Sequence, residues 1–147
     1  MEQEQAVAFK MEGLCPLLQV FDMPTAVKFY RDVLGFELVS NSPPVKSPEG
    51  EYFHWAMLRR DDVTLMLNTA YDEGERPASP DGARIAAHGD TALFFACNDV
   101  DGTYQELVRR EVGVTEKLAV TPYGMKRFAI VDPDGYNLCF QGPIQGS

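Results

Sequence analysis

The chain is poor in histidine, cysteine and tryptophan. It has two histidines, His54 and His88, three cysteines and one tryptophan. Cys15, Cys97 and Cys139 form an odd, widely spaced set. This argues against a disulfide framework and for a reducing, cytoplasmic setting. Basic residues are scarce: 13 Lys and Arg stand against 22 Asp and Glu, a net charge of −9. Nucleic acid and anionic membrane both call for a basic face, so neither is expected as a partner. The acidic surface is first a solubilising one, and it also suits a cationic ligand. Long apolar runs are missing. The longest, Ala92-Leu93-Phe94-Phe95-Ala96-Cys97, falls far short of the ~20 residues that span a bilayer. The opening Met1-Glu2-Gln3-Glu4-Gln5 lacks the basic region of a secretory leader, so none is expected.

What is present is one domain's worth of chain: 147 residues, 45% hydrophobic and 11% aromatic, enough for a core. Residues 1–12 read as a lead-in, and residues 14–21 as a strand with Pro16 early in it, which suits a sheet edge. Asp22 is a helix N-cap with Pro24 in the first turn. Ala26, Phe29, Tyr30, Val33 and Leu34 line one helix face, and Gly35 stops the helix. A short strand over 36–39, a loop over 41–50, and strands over 52–59 and 63–68 follow. Residues 69–89 are rich in Gly, Pro and charge and read as a linker, with one helical turn near 83–87.

The order then repeats. Strand 91–97 leads to the N-cap Asp99, and a helix with Tyr104, Leu107 and Val108 on one face ends at Gly113. A strand over 115–120 precedes a hairpin. In that hairpin, Lys126 to Phe140 alternates around Asp132-Pro133-Asp134-Gly135, strong turn chemistry. Val63-Thr64-Leu65-Met66-Leu67 lies over Tyr136-Asn137-Leu138-Cys139-Phe140. The predicted fold is therefore α+β: two βαβββ repeats, about 13–69 and 90–142, forming paired curved mixed sheets around a cavity. Helices cover one face of each sheet. The acids Asp22, Asp99, Asp132 and Asp134 are assigned to caps and a turn rather than to catalysis.

Asp22-Met23-Pro24, Phe29-Tyr30-Arg31-Asp32-Val33-Leu34-Gly35-Phe36, Asn98-Asp99-Val100-Asp101, Tyr123-Gly124-Met125 with Arg127-Phe128, and Asp132-Pro133-Asp134-Gly135-Tyr136 occur in this order. Together they resemble the glyoxalase / bleomycin-resistance / extradiol-dioxygenase (vicinal oxygen chelate) superfamily over about residues 13–142. The resemblance implies a divalent-metal site in the family's enzymes, on the first and last strand of each repeat. Those places fall here on Cys15, Met66, Ala92 and Cys139. The usual His, Gln and Glu donors are absent from them, and Ala92 has no donor at all. Hard Mg²⁺, Mn²⁺ or Ni²⁺ wants oxygen and imidazole ligands, so no metal and no other cofactor is expected.

Two cysteines and a methionine could instead form a soft-metal set, a reactive thiol, or simple apolar filling. If Phe128 is core, Arg127 faces the cavity or a salt bridge at its rim. Trp55, Phe94, Phe21 and Phe53 are candidate pocket walls, whereas Phe29, Tyr30, Phe128 and Phe140 are assigned to the core. The expected ligand pocket is Cys15, Gln19, Trp55, Met66, Ala92, Phe94, Arg127 and Cys139. The resemblance implies a metal-independent small-molecule-binding protein of the bleomycin-resistance kind, acting as a homodimer. The alternatives are a lyase or dioxygenase-type enzyme with an atypical site or a cavity cysteine, and a dimeric regulatory module.

Overall fold

The computed structural model describes residues 8–47 and 50–144. The expected lead-in therefore falls largely on residues 1–7, outside the described residues. The chain runs β1 (Leu17–Val20), α1 (Met23–Lys28) continuing into a π-helical turn (Phe29–Val33), β2 (Glu37–Asn41), β3 (Val45–Ser47), β4 (Gly50–Tyr52), β5 (Trp55–Arg60) and β6 (Val63–Thr69). It continues with α2 (Gly82–His88), β7 (Ala92–Ala96), α3 (Val100–Arg109), β8 (Val114–Val120), β9 (Met125–Val131) and β10 (Asn137–Pro143).

Two curved four-stranded sheets result, with orders β1-β6-β5-β2 and β7-β10-β9-β8. In each, the first and last strand of a βαβββ unit pair in parallel and the remaining pairs are antiparallel. Irregular register at Leu38/Ser40 in the first sheet, and twice along β8 in the second, bends the outer strands.

Local chemistry explains the helices. The Asp22 carboxylate accepts from the Thr25 N–H at 3.1 Å, and Asp99 accepts from the Gly102 N–H at 3.0 Å. Both are the side-chain caps that the sequence predicts. Gly35, with φ of +78°, takes the left-handed position that ends the first helical segment. The second helix departs from expectation. It stops at Arg109 rather than at Gly113, and Glu111 (φ +60°) holds the left-handed position while the Val112 N–H returns to the Leu107 carbonyl.

Three strand boundaries also differ from the sequence reading. β1 begins only at Leu17, because residues 14 and 15 make no ladder and Leu14 is almost fully exposed. The Pro16 carbonyl still accepts from the Met66 N–H at 2.9 Å. The strand expected over 52–59 is divided: Tyr52 closes a separate small hairpin, β3–β4, and β5 starts at Trp55. That hairpin occupies what reads as loop, since flanking Pro43, Pro44 and Pro48 mask a three-residue strand.

Sheet parity sets the core. Leu18, Val20, Ala56, Leu58, Leu65 and Leu67 are buried beneath Met23, Ala26, Val27 and Tyr30 of the first helical segment. Phe128, Ile130, Leu138 and Phe140 are buried with Val100 and Leu107 of α3. A run of ring contacts joins the two halves: Tyr30 to Phe36 at 5.8 Å, Phe36 to Phe95 at 6.4 Å, Phe95 to Phe140 at 5.1 Å, Phe140 to Phe128 at 5.0 Å and Phe128 to Tyr104 at 5.1 Å. The repeats thus share one aromatic core.

Candidate functional site

With one face of each sheet under a helix, the other face carries the functional candidates. On the first sheet, register places Leu17, Met66 and Met57 in one row and Gln19, Asn68 and Trp55 in the next. All are partly exposed. Asn68 Nδ2 reaches Gln19 Oε1 at 3.5 Å. On the second sheet, Ala92 pairs with Asn137, Phe94 with Cys139, and Cys139 in turn with Ala129. Gln141 pairs with Ala96 and Arg127. Arg127 lies over the Phe94 ring at 5.8 Å, donates to Glu116 at 2.9 Å, and is held in its charged form by that carboxylate. Phe128, its neighbour, is fully buried, so Arg127 takes the helix-free face that sequence alternation gives it.

The expected pocket residues therefore fall into two sets. Gln19, Trp55 and Met66 share the first sheet, and Ala92, Phe94, Arg127 and Cys139 share the second. Cys15 stands just ahead of β1, two residues from the Leu17 that lies beside Met66. Among the described residues no hydrogen bond, ion pair or ring contact joins the two sets. Leu17 and Met57 were missed by sequence reasoning, although period-two counting from Cys15 to Leu17 and from Trp55 to Met57 would have found both.

Cys139 is 5% exposed and set between Phe94 and Ala129. Burial pushes its thiol up, and the nearby Arg127 charge only partly opposes this. Cys97 is likewise pushed up by burial. Neither is poised as a thiolate nucleophile. None of the eight expected pocket residues lines a cavity of about 590 Å³ beside α1, and Arg127 borders a small one of about 140 Å³ with Glu116 and Tyr123.

The Asp-Pro-Asp-Gly turn has another role. Asp132 and Asp134 are both buried. Asp132 accepts from the Tyr30 hydroxyl at 2.6 Å and from the N–H groups of Asp134 (2.8 Å) and Tyr136 (3.0 Å). Asp134 accepts from the Phe21 N–H at 2.7 Å, and the Tyr136 hydroxyl accepts from the Gln19 N–H at 3.0 Å. His88 stacks on Tyr136 at 4.1 Å with Nδ1 2.7 Å from the Asp134 carbonyl oxygen. The turn of the second repeat is thereby fastened to the first strand and helix of the first repeat, and it fixes how the two sheets sit.

Burial raises the Asp134 carboxyl to about 6, with the Phe21 N–H opposing and the Asp132 charge adding to the rise. A folded value above the unfolded one stabilises the fold at low pH, and this contribution fades as pH rises through about 6. Asp134→Asn keeps an oxygen for the Phe21 N–H but cannot ionise. Relative to this variant, the parent chain is expected to lose stability between about pH 4 and pH 7 in urea unfolding. Parallel stability profiles for the two chains would contradict the assignment.

The donor chemistry does not fit a hard divalent metal. The implied places offer two thiols, a thioether and a methyl group, and among the described residues no three of His, Cys, Asp or Glu are grouped to hold an ion.

Comparison with known proteins gives a consistent picture. A family model described as Glyoxalase/Bleomycin resistance protein/Dioxygenase superfamily matches residues 14–140. A lactoylglutathione lyase of Haemophilus influenzae is 33% identical over 139 residues, covering 88% of this chain and 91% of the relative. A bleomycin resistance protein of Geobacillus stearothermophilus is 29% identical over 133 residues, covering 85% and 92%. Among solved structures, TnmS3, an antibiotic binding protein from Streptomyces sp. CB03234, superposes with a TM-score of 0.63 at 22% identity, covering 92% of this chain and 99% of its own. That last likeness is one of fold.

Proposed function

The chain belongs to the Glyoxalase/Bleomycin resistance protein/Dioxygenase superfamily, and from that premise we propose that it binds a small molecule without a metal, against the helix-free faces of its two sheets. The observation that carries this reading is the donor set. Cys15, Met66, Ala92 and Cys139 stand where the family's enzymes hold their metal, and they offer an apolar, sulfur-rich set instead, with Cys139 buried between Phe94 and Ala129. Around them Trp55, Met57 and Phe94 supply apolar walls, while Gln19, Asn68, Gln141 and Arg127 supply sparse polar anchors. That mixture is what small-molecule sites use: area for affinity, a few directed groups for orientation.

The two faces are completed by a second copy of the chain. Leu17 is 46% exposed and Phe94 54% exposed on faces where smaller polar residues would serve a monomer better. Among the described residues, side-chain hydrogen bonds that join the repeats within one chain run through the turn from Asp132 to Tyr136, which reaches the Gln19 backbone N–H but no side chain on these faces, and from Arg110 to the Val33 carbonyl. The faces are thus free to meet those of a partner.

The relatives named as bleomycin resistance and antibiotic-binding proteins make metal-free bleomycin the first probe. Trp55 is the only tryptophan and lies on the first face, so its fluorescence reports occupancy. Titration in the presence of a chelator is expected to change that fluorescence saturably. Panels of uncharged, cationic and anionic aromatic compounds that all leave Trp55 and the melting temperature unchanged would sink the reading and favour a regulatory module.

A further inference from the structure

A cavity of about 590 Å³ is lined by none of the eight sheet-face candidates. It opens beside the N-terminus of α1, between the β3–β4 hairpin and the segment that leaves β6. Its size falls in the range of small-molecule sites. Phe21, Tyr52 and Tyr71 form aromatic walls. Phe21 and Tyr71 meet edge to face at 6.3 Å. Tyr52 is braced by an edge contact with His54 at 5.1 Å, and His54 Nδ1 lies 2.7 Å from Thr69 Oγ1.

Two of the chain's own guanidinium groups already rest on these rings: Arg76 over Phe21 at 4.8 Å and Arg84 over Tyr71 at 5.3 Å. The walls thus accept flat cations, as the quadrupole of an aromatic face requires. The charges decide the sign of an outside ligand. Asp22 and Arg76 form an ion pair at 2.6 Å and neutralise each other. Lys46 stands opposite Glu51 in the hairpin register. Asp72 and Glu73, next to Tyr71, remain as the excess charge of the lining.

We infer that this cavity is a second ligand site, separate from the sheet faces, which takes a planar aromatic cation. The ring packs on the Tyr52 and Tyr71 walls, and the positive end faces Asp72 and Glu73. The inference does not depend on the metal-free reading of the sheet faces.

Benzamidine, an aromatic amidinium, and benzamide, its neutral counterpart, test it on the full chain by amide chemical-shift titration. Benzamidine is expected to shift the amides of Tyr52, Tyr71 and Asp72, with benzamide weaker by roughly tenfold, about 1.4 kcal/mol. The exposed double substitution Asp72→Asn with Glu73→Gln is expected to reduce benzamidine binding to the level of benzamide, and Tyr71→Ala to weaken both. The same spectra report that each variant is folded. Equal binding of the two probes, or benzamidine binding unaffected by the double substitution, overturns the proposal. So do benzamidine shifts confined to Leu17, Trp55 or Phe94, an outcome that leaves the sheet-face reading standing. Loss of all binding at the sheet faces with benzamidine still seated at Tyr71 does the reverse.

Discussion

Replacing Asp132 with alanine is expected to lower the thermal midpoint by about 10 °C or more in a chain of this size. The residue is 4% exposed, and its carboxylate takes three donors at once: the Tyr30 hydroxyl and the N–H groups of Asp134 and Tyr136. Truncation leaves those donors buried without an acceptor, at about 1–3 kcal/mol each and a non-additive total of about 3–5 kcal/mol. The loss falls on the joint between the repeats, because Tyr30 lies on the first helical segment and the turn belongs to the second repeat. Asp132→Asn should be much milder. Its amide oxygen still accepts the two N–H groups, and the Tyr30 hydroxyl turns to accept from the amide nitrogen. Burial also holds the Asp132 carboxyl above its ordinary value, so removing the charge offsets part of the cost. Equal midpoints for the alanine variant and the parent chain would show that the turn is not what fixes the repeats.

Phe94→Lys tests the proposed pairing of chains: it is expected to abolish self-association while leaving each chain folded. Phe94 is 54% exposed on the second helix-free face, with Cys139 beside it and the Arg127 guanidinium over its ring. A lysine there costs the single chain little, since its ammonium stays in water. In a paired face the same ammonium is desolvated next to another cation, Arg127, whose Glu116 partner is already engaged. A penalty of about 3 kcal/mol weakens association roughly a hundredfold. Sedimentation velocity reads this directly. A parent chain that sediments as a monomer, or a variant that stays dimeric at the same concentration, would remove the second copy from the account.

Much of this architecture is legible in the sequence, and the reason is local chemistry. Asp22 and Asp99 cap helices because a short carboxylate reaches the nearby N–H groups, and Leu65 and Leu67 go under the helix because strand parity leaves no other choice. What escapes is set by distant partners. The sequence reading assigns Asp132 a structural turn but says nothing of Tyr30, 102 residues away, which makes that turn a joint. The end of α3 escapes because Glu111 accepts a left-handed backbone, a role that composition assigns to Gly113. Of the 590 Å³ cavity the sequence reading reaches only Phe21, named there as a candidate pocket wall; the rest escapes because its walls come from a cap, a small hairpin and a connecting segment with no shared periodicity. The sheet-face candidates were reachable because they follow period-two alternation on β1, β5, β6, β7, β9 and β10.

The reading of Cys15, Met66, Ala92 and Cys139 as an apolar surface rather than a metal site is tested most directly by the metal content of the purified protein, measured with its melting temperature before and after chelation. Divalent metal is expected far below one ion per chain, with an unchanged melting temperature. One tightly held ion per chain, whose removal lowers the melting temperature, would contradict it.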